Sequence, residues 1–263
     1  MRMDTLVRLS IDNQVATITL NRPEVHNAFN EQVIQDLTRI LDDLSRSADT
    51  RVIVLASNGE SFSAGGDIEW MKKSITYSKD ENRSDAKRLA RMFRAIRESP
   101  KPVIARVQGA ALGGGVGLVA VSDIAVSLAS ATFSFSEVKL GILPAVISPF
   151  VIEKIGAGPF RRYALTAERF DAEKAKTIGL ISEVVHSIHE LDEKILEFCT
   201  LLRKNGPKAL TACKHLLNEI SHYPWDKSEA FTAEQIAEIR VSPEGQEGLR
   251  AFLERRKPNW LSD

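Results

Sequence analysis

The chain has 263 residues, 43% of them hydrophobic and 27% charged, and 35 basic side chains balance 35 acidic ones. Such a composition fits a globular protein with a sizeable core. Zero net charge leaves no global field to attract nucleic acid or an anionic membrane, so an anionic ligand has to be held by local groups.

In chain order, Val7–Ile11 and Val15–Leu20 alternate as a hairpin around an Asp12-Asn13 turn, and "MRMDTLVRLSIDNQVATITL" lacks the apolar core of a signal peptide. The loop "NRPEVHNAF" follows. Val33, Ile34, Leu37, Ile40, Leu41 and Leu44 then recur at helical spacing within Glu31–Ser45. Arg51–Ala56 reads as a buried strand, Ser57–Asp67 as a Gly/Ser loop and Ile68–Lys73 as a short helix. A helix over Glu81–Glu98 stops at Ser99-Pro100, and strands are expected over Pro102–Val107 and Asp123–Leu128. Beyond Pro149 the pattern is helical almost to the end, with breaks at 156–159, 206–207 and 242–243. Strands alternating with helices, then helices alone, predict an α/β fold with a helical C-terminal segment. The longest apolar run, Val107 to Val121, is shorter than the roughly 20 residues needed to span a bilayer. Cys199 and Cys213 show no C-x-x-C spacing, which points to a reducing compartment, the cytoplasm by default.

The run contains "ALGGGVG", residues 111–117, whose glycines admit three readings. Gly115 to Ala120 fits G-x-G-x-x-A, a dinucleotide turn, but the following strand ends near Leu128 without the acidic residue that would hold a ribose. The glycines could serve close packing alone. They could also expose backbone N–H groups at a helix N-terminus, where amides and dipole together stabilise an oxyanion. A second loop, "SFSAGGDIEWM", favours the third reading: it too follows a buried strand, carries Gly65-Gly66 and opens a helix.

"NRPEVHNAF", "FSAGGDI" and "PVIARVQGAALGGGVGL", in that order, resemble the crotonase (enoyl-CoA hydratase/isomerase) superfamily, and the likeness extends to "SPEGQEGLRAFLERRKPNW". The resemblance implies a spiral core of repeated ββα units over residues 1–200 and a helical oligomerisation region over 201–263. It also implies a homotrimer or a hexamer made of two trimers. The ligand would be an acyl-CoA thioester, with CoA carried by the substrate and no further cofactor or metal. Gly66 and Gly114 would be the oxyanion donors. Val25, His26, Ala64, Gly66, Asp67 and Ile68 would meet CoA, mostly through main chain, with Phe252 and Arg255 reaching it from a neighbouring subunit.

Family hydratases activate water with two glutamates. The second matches Glu137 in "FSFSEVKLG"; at the first, this chain has Gly117. Glu137 lies among apolar residues, where its pKa is expected to rise and suit proton exchange near neutrality. Acting alone, it could hydrate a double bond or move a proton between Cα and Cγ, as in Δ3,Δ2-enoyl-CoA isomerases. "SEVKLGILPAVISPFVIEKIG" and "RRYALTAERF" resemble bacterial methylglutaconyl-CoA hydratases of leucine and isovalerate breakdown, and isohexenylglutaconyl-CoA hydratases. Such substrates bear a distal carboxylate, for which Lys139, Arg161 and Arg162 are candidates. A non-catalytic or RNA-binding relative is the alternative of another class, but the early helix "EQVIQDLTRILDDLSR" has no lysine. His186, His189 and Glu190 lack a further metal ligand and fit a helix entry. Trp70, Met71, Phe93 and Phe150 fit either an acyl pocket or core.

Overall fold

The computed structural model describes residues 5–261; the first four and last two residues of the two expected regions lie outside the described residues. A six-stranded sheet runs in the order β1 (Val7–Asp12), β2 (Val15–Leu20), β3 (Val52–Ser57), β4 (Val103–Val107), β6 (Ile124–Leu128) and β9 (Glu183–Val185). Only the β1–β2 pair is antiparallel. Their turn is Asn13-Gln14, one residue later than expected. Both residues have positive φ, which matches the right-handed strand twist. The edge strand β1 is exposed along most of its length, whereas β3 is buried at every position, as a strand covered on both faces must be.

Helices cover both faces. On one side lie α1 (Glu31–Arg46), α3 (Lys79–Arg97) and α4 (Gly114–Val121), with the short α2 (Ile68–Ser74) before α3. Helix α1 is capped by Asn30, which accepts from the Val33 amide, and buries the six apolar residues that its periodicity singles out. Each such side chain contributes about 1.5–3 kcal/mol when fully buried. Helix α3 begins two residues earlier than its apolar pattern suggests. Ser78 and Glu81 form a reciprocal capping box, an S-x-x-E signal the periodicity passes over. The other face is covered by α8 (Ile188–Lys204), whose Leu191, Ile195 and Cys199 pack on Val54, Ile104 and Val126.

The spiral lies in a second stack of short segments. Phe29 bridges Gly66, Ser63 bridges Ala111, β5 (Ala111–Leu112) pairs with β7 (Thr132–Ser134), and β7 pairs with β8 (Phe170–Asp171). Each turn thus supplies one strand to the large sheet, one segment to this stack, and then a helix. After β7 come α5 (Ser148–Ile155), α6 (Ala157–Thr166) and α7 (Ala172–Thr177). Strands β8 and β9 interrupt the stretch beyond Pro149 that reads as helical. At two and three residues they are too short to show a period.

Helices α9 (Pro207–Ile220), α10 (Trp225–Val241) and α11 (Pro243–Leu253) complete the chain. The expected boundary at residue 200 falls inside α8, and the first backbone break after it is Asn205-Gly206-Pro207. Helix α9 is fastened to the core by Lys214, whose buried ammonium lies 2.7 Å from Asp123 Oδ2 and donates to the Lys101 carbonyl. Asp123 Oδ2 also accepts from the Val103 amide, so one carboxylate joins α9, β4 and the end of α4. Removing one partner of a buried pair leaves the other charge uncompensated. Asp123→Ala is therefore expected to lower stability by about 3–5 kcal/mol, read as a shift in urea midpoint. A loss below about 1 kcal/mol, the value of an exposed pair, would show that the contact does not hold the helix.

Candidate active site

The loop after β2 is tied down by its own polar residues. Asn27 accepts from the Arg22 amide and donates to the carbonyls of Asn58 and Ser61, while Ser63 Oγ donates to the Asn27 carbonyl. Arg22 Nη1 reaches both the Ala28 carbonyl and Asp67 Oδ2, each at 2.7 Å. Asp67 in turn caps α2, accepting from the amides of Glu69 and Trp70. Burial opposes ionisation of Asp67, but the bonds from Arg22 and the α2 amides outweigh it and hold the carboxyl below its ordinary range. These residues lock the loop carrying Gly65-Gly66 against the one carrying Phe29.

That locking sets the direction of the Gly66 amide. Phe29 N–H donates to the Gly65 carbonyl and Asp67 N–H to the Phe29 carbonyl, so the amide between them, on Gly66, faces away from Phe29. Gly114 opens α4, where first-turn amides have no intrahelical acceptor. Neither the Gly66 nor the Gly114 N–H has an acceptor among the described residues. The two loops touch: a Cβ on Gly65 would lie 2.7 Å from the Leu112 carbonyl oxygen, and one on Gly115 would lie 2.3 Å from the Ser63 oxygen. Gly65 and Gly115 therefore serve close packing, while Gly66 and Gly114 carry amides with no acceptor among the described residues. Gly115 and Gly117 are buried against other parts of the chain, which leaves no space for a pyrophosphate along that turn.

Gly66, Gly114 and Glu137 line one cavity of about 450 Å³. Glu137 opens a short 3₁₀ turn, Glu137–Leu140, after β7. Its Oε1 would lie 3.0 Å from a Cβ on Gly113, a residue with φ of 49° that favours glycine. Its Oε2 is buried with no hydrogen-bond partner among the described residues. Desolvation by burial raises its pKa above 4.5, against a smaller opposing effect from its own backbone amide. A carboxyl held this way, beside two unpaired amides, can exchange a proton with a group whose oxygen the amides bind.

The position expected for a first glutamate is filled. A Cβ on Gly117 would lie 2.4 Å from Ile147 Cγ2 and 2.9 Å from Phe93 Cε1. Phe93 is fully buried, with Phe29 and Phe150 at ring-centroid distances of 6.4 and 6.3 Å. Apolar packing thus fills the slot expected for the first glutamate, and Phe93 belongs to the core.

The remaining expected residues lie elsewhere. Val25, His26 and Ile68 are exposed, and Ala64 donates its amide to the His26 carbonyl, which joins the loop of Val25 and His26 to the one that leads into α2. Phe252 and Arg255 sit exposed at the end of α11 and do not line the cavity. Lys139, Arg161 and Arg162 are exposed and do not line it either; Arg162 makes a two-point pair with Glu168. Ser187 caps α8 by accepting from the Glu190 amide, and the Glu190 carboxylate accepts from the His186 amide, which places the His/Glu cluster at a helix entry. Sequence reasoning passed over Arg22, Asn27, Asp85 and Ile147. Asp85 lines the cavity, buried and paired at 2.7 Å with Arg88. Its only sequence signal is a carboxylate within the expected helix, with arginine three residues on.

Over residues 10–263 the chain matches a family model described as enoyl-CoA hydratase/isomerase. It is 31% identical over 253 residues to the short-chain-enoyl-CoA hydratase of Clostridium acetobutylicum, with 95% of each chain covered. A solved enoyl-CoA hydratase from Shewanella pealeana is similar at a TM-score of 0.93 and 41% identity, covering 97% of this chain and 96% of that one. AtuE of Pseudomonas aeruginosa is similar at 0.94 and 35%, covering 98% and 100%. Among the described residues no helix is long and apolar enough to cross a membrane.

Because Ile147 and Phe93 occupy the space beside Gly117, Gly117→Glu is expected to cost stability by about 1–3 kcal/mol through overpacking, and more for the buried carboxyl. It should not raise turnover. Thermal unfolding checks this, and Gly117→Glu combined with Ile147→Ala should regain part of the loss. An unchanged melting temperature in the single variant would mean that the slot is open.

Proposed function

The chain belongs to the enoyl-CoA hydratase/isomerase family, and we propose that this member adds water across the 2,3-double bond of a branched or carboxylated 2-enoyl-CoA, with 3-methylglutaconyl-CoA as the reference substrate. The observation that carries the reading is the meeting of two unpaired amides, on Gly66 and Gly114, with the buried carboxyl of Glu137 in one cavity. The thioester oxygen takes both amides. Glu137, ionised, accepts a proton from water as the oxygen adds to Cβ, and negative charge moves onto the thioester oxygen. Each preorganised donor there is worth about 3–4 kcal/mol in the transition state. Glu137 then returns the proton to Cα, and the sum is one water added.

The rim of Val25, His26, Ala64, Asp67 and Ile68 is our candidate seat for CoA. The Asp67 side chain acts there through the loop it fixes rather than as a ligand. The apolar surface of the C-terminal helices, with Trp225, Val241, Phe252 and Leu253 all more than three-quarters exposed, supports assembly into a trimer or hexamer.

A second reading, Δ3,Δ2-enoyl-CoA isomerisation, is favoured by the closed position at Gly117, since moving one proton between Cα and Cγ needs one carboxylate and no water. Purified protein is to be assayed with 3-methylglutaconyl-CoA, crotonyl-CoA and a 3-enoyl-CoA, and the products weighed. Gain of one water on the branched substrate is the expected result. An isobaric product from the 3-enoyl thioester, with no hydration of any substrate, would make the protein an isomerase.

Glu137→Gln is expected to lower kcat by about 10²–10⁴-fold while acyl-CoA still binds. In the wild type, kcat/KM should fall as pH drops through the Glu137 pKa. Because burial raises that pKa, the acid limb should lie above 4.5. A limb at or below that value, or full activity in the variant, would remove Glu137 from the mechanism.

A further inference from the structure

The six-stranded sheet ends differently at its two edges. Strand β9 stops after three residues, and so short an edge offers little to pair with. Strand β1 runs for six residues in unbroken register with β2, and its sequence VRLSID holds neither proline nor lysine. Bulges, prolines and lysines are the usual devices that keep an edge from pairing with another chain, and β1 has none of them. Five of its six residues are exposed, Leu9 and Ile11 at 44% and 49%.

The ladder with β2 fixes which backbone groups face outward. The Asn21 amide donates to the Leu6 carbonyl, so Leu6 and Asn21 form a hydrogen-bonded pair, and alternation turns Arg8, Ser10 and Asp12 towards β2 as well. The N–H and C=O groups of Val7, Leu9 and Ile11 point the other way and have no partner among the described residues. A second β1 running antiparallel must therefore set odd-numbered residues against odd-numbered ones. Centred on Ser10, that register places Leu9 across from Ile11 of the second copy, and Ile11 across from its Leu9, so that each pair exchanges both backbone hydrogen bonds. It also sets Arg8 across from Asp12 of the second copy, twice, in the pairs whose side chains lie closer together. Asp12 accepts from the neighbouring Asn13 side chain, and Arg8 has a contact within its own chain, so the attraction is one of opposed charges and needs no vacant side chain. Centred on Leu9 or Ile11, neither charge meets its opposite; centred on Arg8 or Asp12, like charges meet.

We infer that β1 is an interface between copies of this chain: two β1 strands pair antiparallel about Ser10 and join two six-stranded sheets into one. Leu9 and Ile11 of each copy then cover one another on one face, and the charge pairs flank Ser10 on the other. The contact is separate from the acyl-CoA reading above, and it doubles whatever particle the C-terminal helices assemble.

The register is tested directly by a thiol. In a Cys213→Ser background, which removes the exposed native cysteine, Ser10→Cys should close a disulfide between two copies under mild oxidation and run at twice the chain mass on a non-reducing gel. The two-fold axis sets Ser10 across from itself in a non-hydrogen-bonded pair, with Cα atoms about 4.5 Å apart, within the span a disulfide bridges. Leu9→Cys, which faces Ile11 of the other copy, should not close. Leu9→Pro removes one outward N–H and leaves the β1–β2 ladder intact, since proline is tolerated where an edge N–H faces solvent. It should halve the particle mass in sedimentation equilibrium. Should that variant fail to fold, the thiol pair still decides. Cross-linking at position 9 as fast as at position 10, none at either, or a particle mass that folded Leu9→Pro leaves unchanged would overturn the inference and leave the edge to solvent or to a different chain. Turnover tests the hydratase reading separately, because β1 does not line the cavity.

Discussion

The site depends on a backbone constraint: the short segments of successive turns stack close enough that side chains cannot stand between them. Phe29 pairs with Gly66, Ser63 with Ala111, and Leu112 with Ser134, so each turn registers on the last. Where the loops meet, Gly65 and Gly115 face carbonyl oxygens at distances no Cβ could occupy. The large parallel sheet would tolerate many loop geometries; this stack tolerates few. It carries Gly66, Gly114 and Glu137 on three consecutive turns and brings them to one wall without any of them bonding to another. The amides stay free because their neighbours in the chain have taken the available partners.

Preorganisation of that kind has a cost that the pH behaviour exposes. The Glu137 carboxyl is buried with one oxygen unpartnered, and its folded pKa is raised. Below the unfolded value both states are protonated and nothing is lost. As pH rises from that value toward the folded pKa, the unfolded chain ionises first and the folded state loses stability relative to it. At neutral pH the protein therefore carries a destabilised group where the proposed mechanism needs a proton acceptor, a common trade at functional sites. Compensation is visible at the far end of α4. Lys154 donates to the carbonyls of Ser122 and Asp123, placing a cation at the C-terminal end of the helix whose first amide is that of Gly114. Cations there complement the helix dipole that makes its N-terminus attractive to an anion.

Much of this was legible in the chain. The six core positions of α1, the strand–loop–helix order through residue 128 and the paired glycine loops follow from period and composition alone. The short strands β5, β7, β8 and β9 did not, because two or three residues carry no period and their pairing is set by the spiral. The same limit hid the roles of Arg22 and Asn27. Their motif marks a loop, but the Asn58 and Ser61 carbonyls that Asn27 reaches, and the Asp67 carboxylate that Arg22 reaches, lie more than thirty residues away in the sequence.

Gly117 shows how one missing side chain can organise a site. A glycine at a cavity wall leaves a gap that solvent can fill when nothing packs against it. Here Ile147 and Phe93 close over the position, and Phe93 is fixed in turn by Phe29 and Phe150. The position is thus closed by apolar side chains and has no space for a carboxylate beside them. In the mechanism we propose, proton transfer falls to Glu137, and the same carboxyl that takes the proton must return it. For hydration this means that water has to approach from the side of Glu137, so hydroxyl and proton are delivered to the same face of the double bond. For isomerisation it means that Cα and Cγ must both lie within reach of one carboxyl. The acyl group that can satisfy either geometry is set by the remaining walls, to which Trp70, Met71, Leu89 and Ile142 contribute.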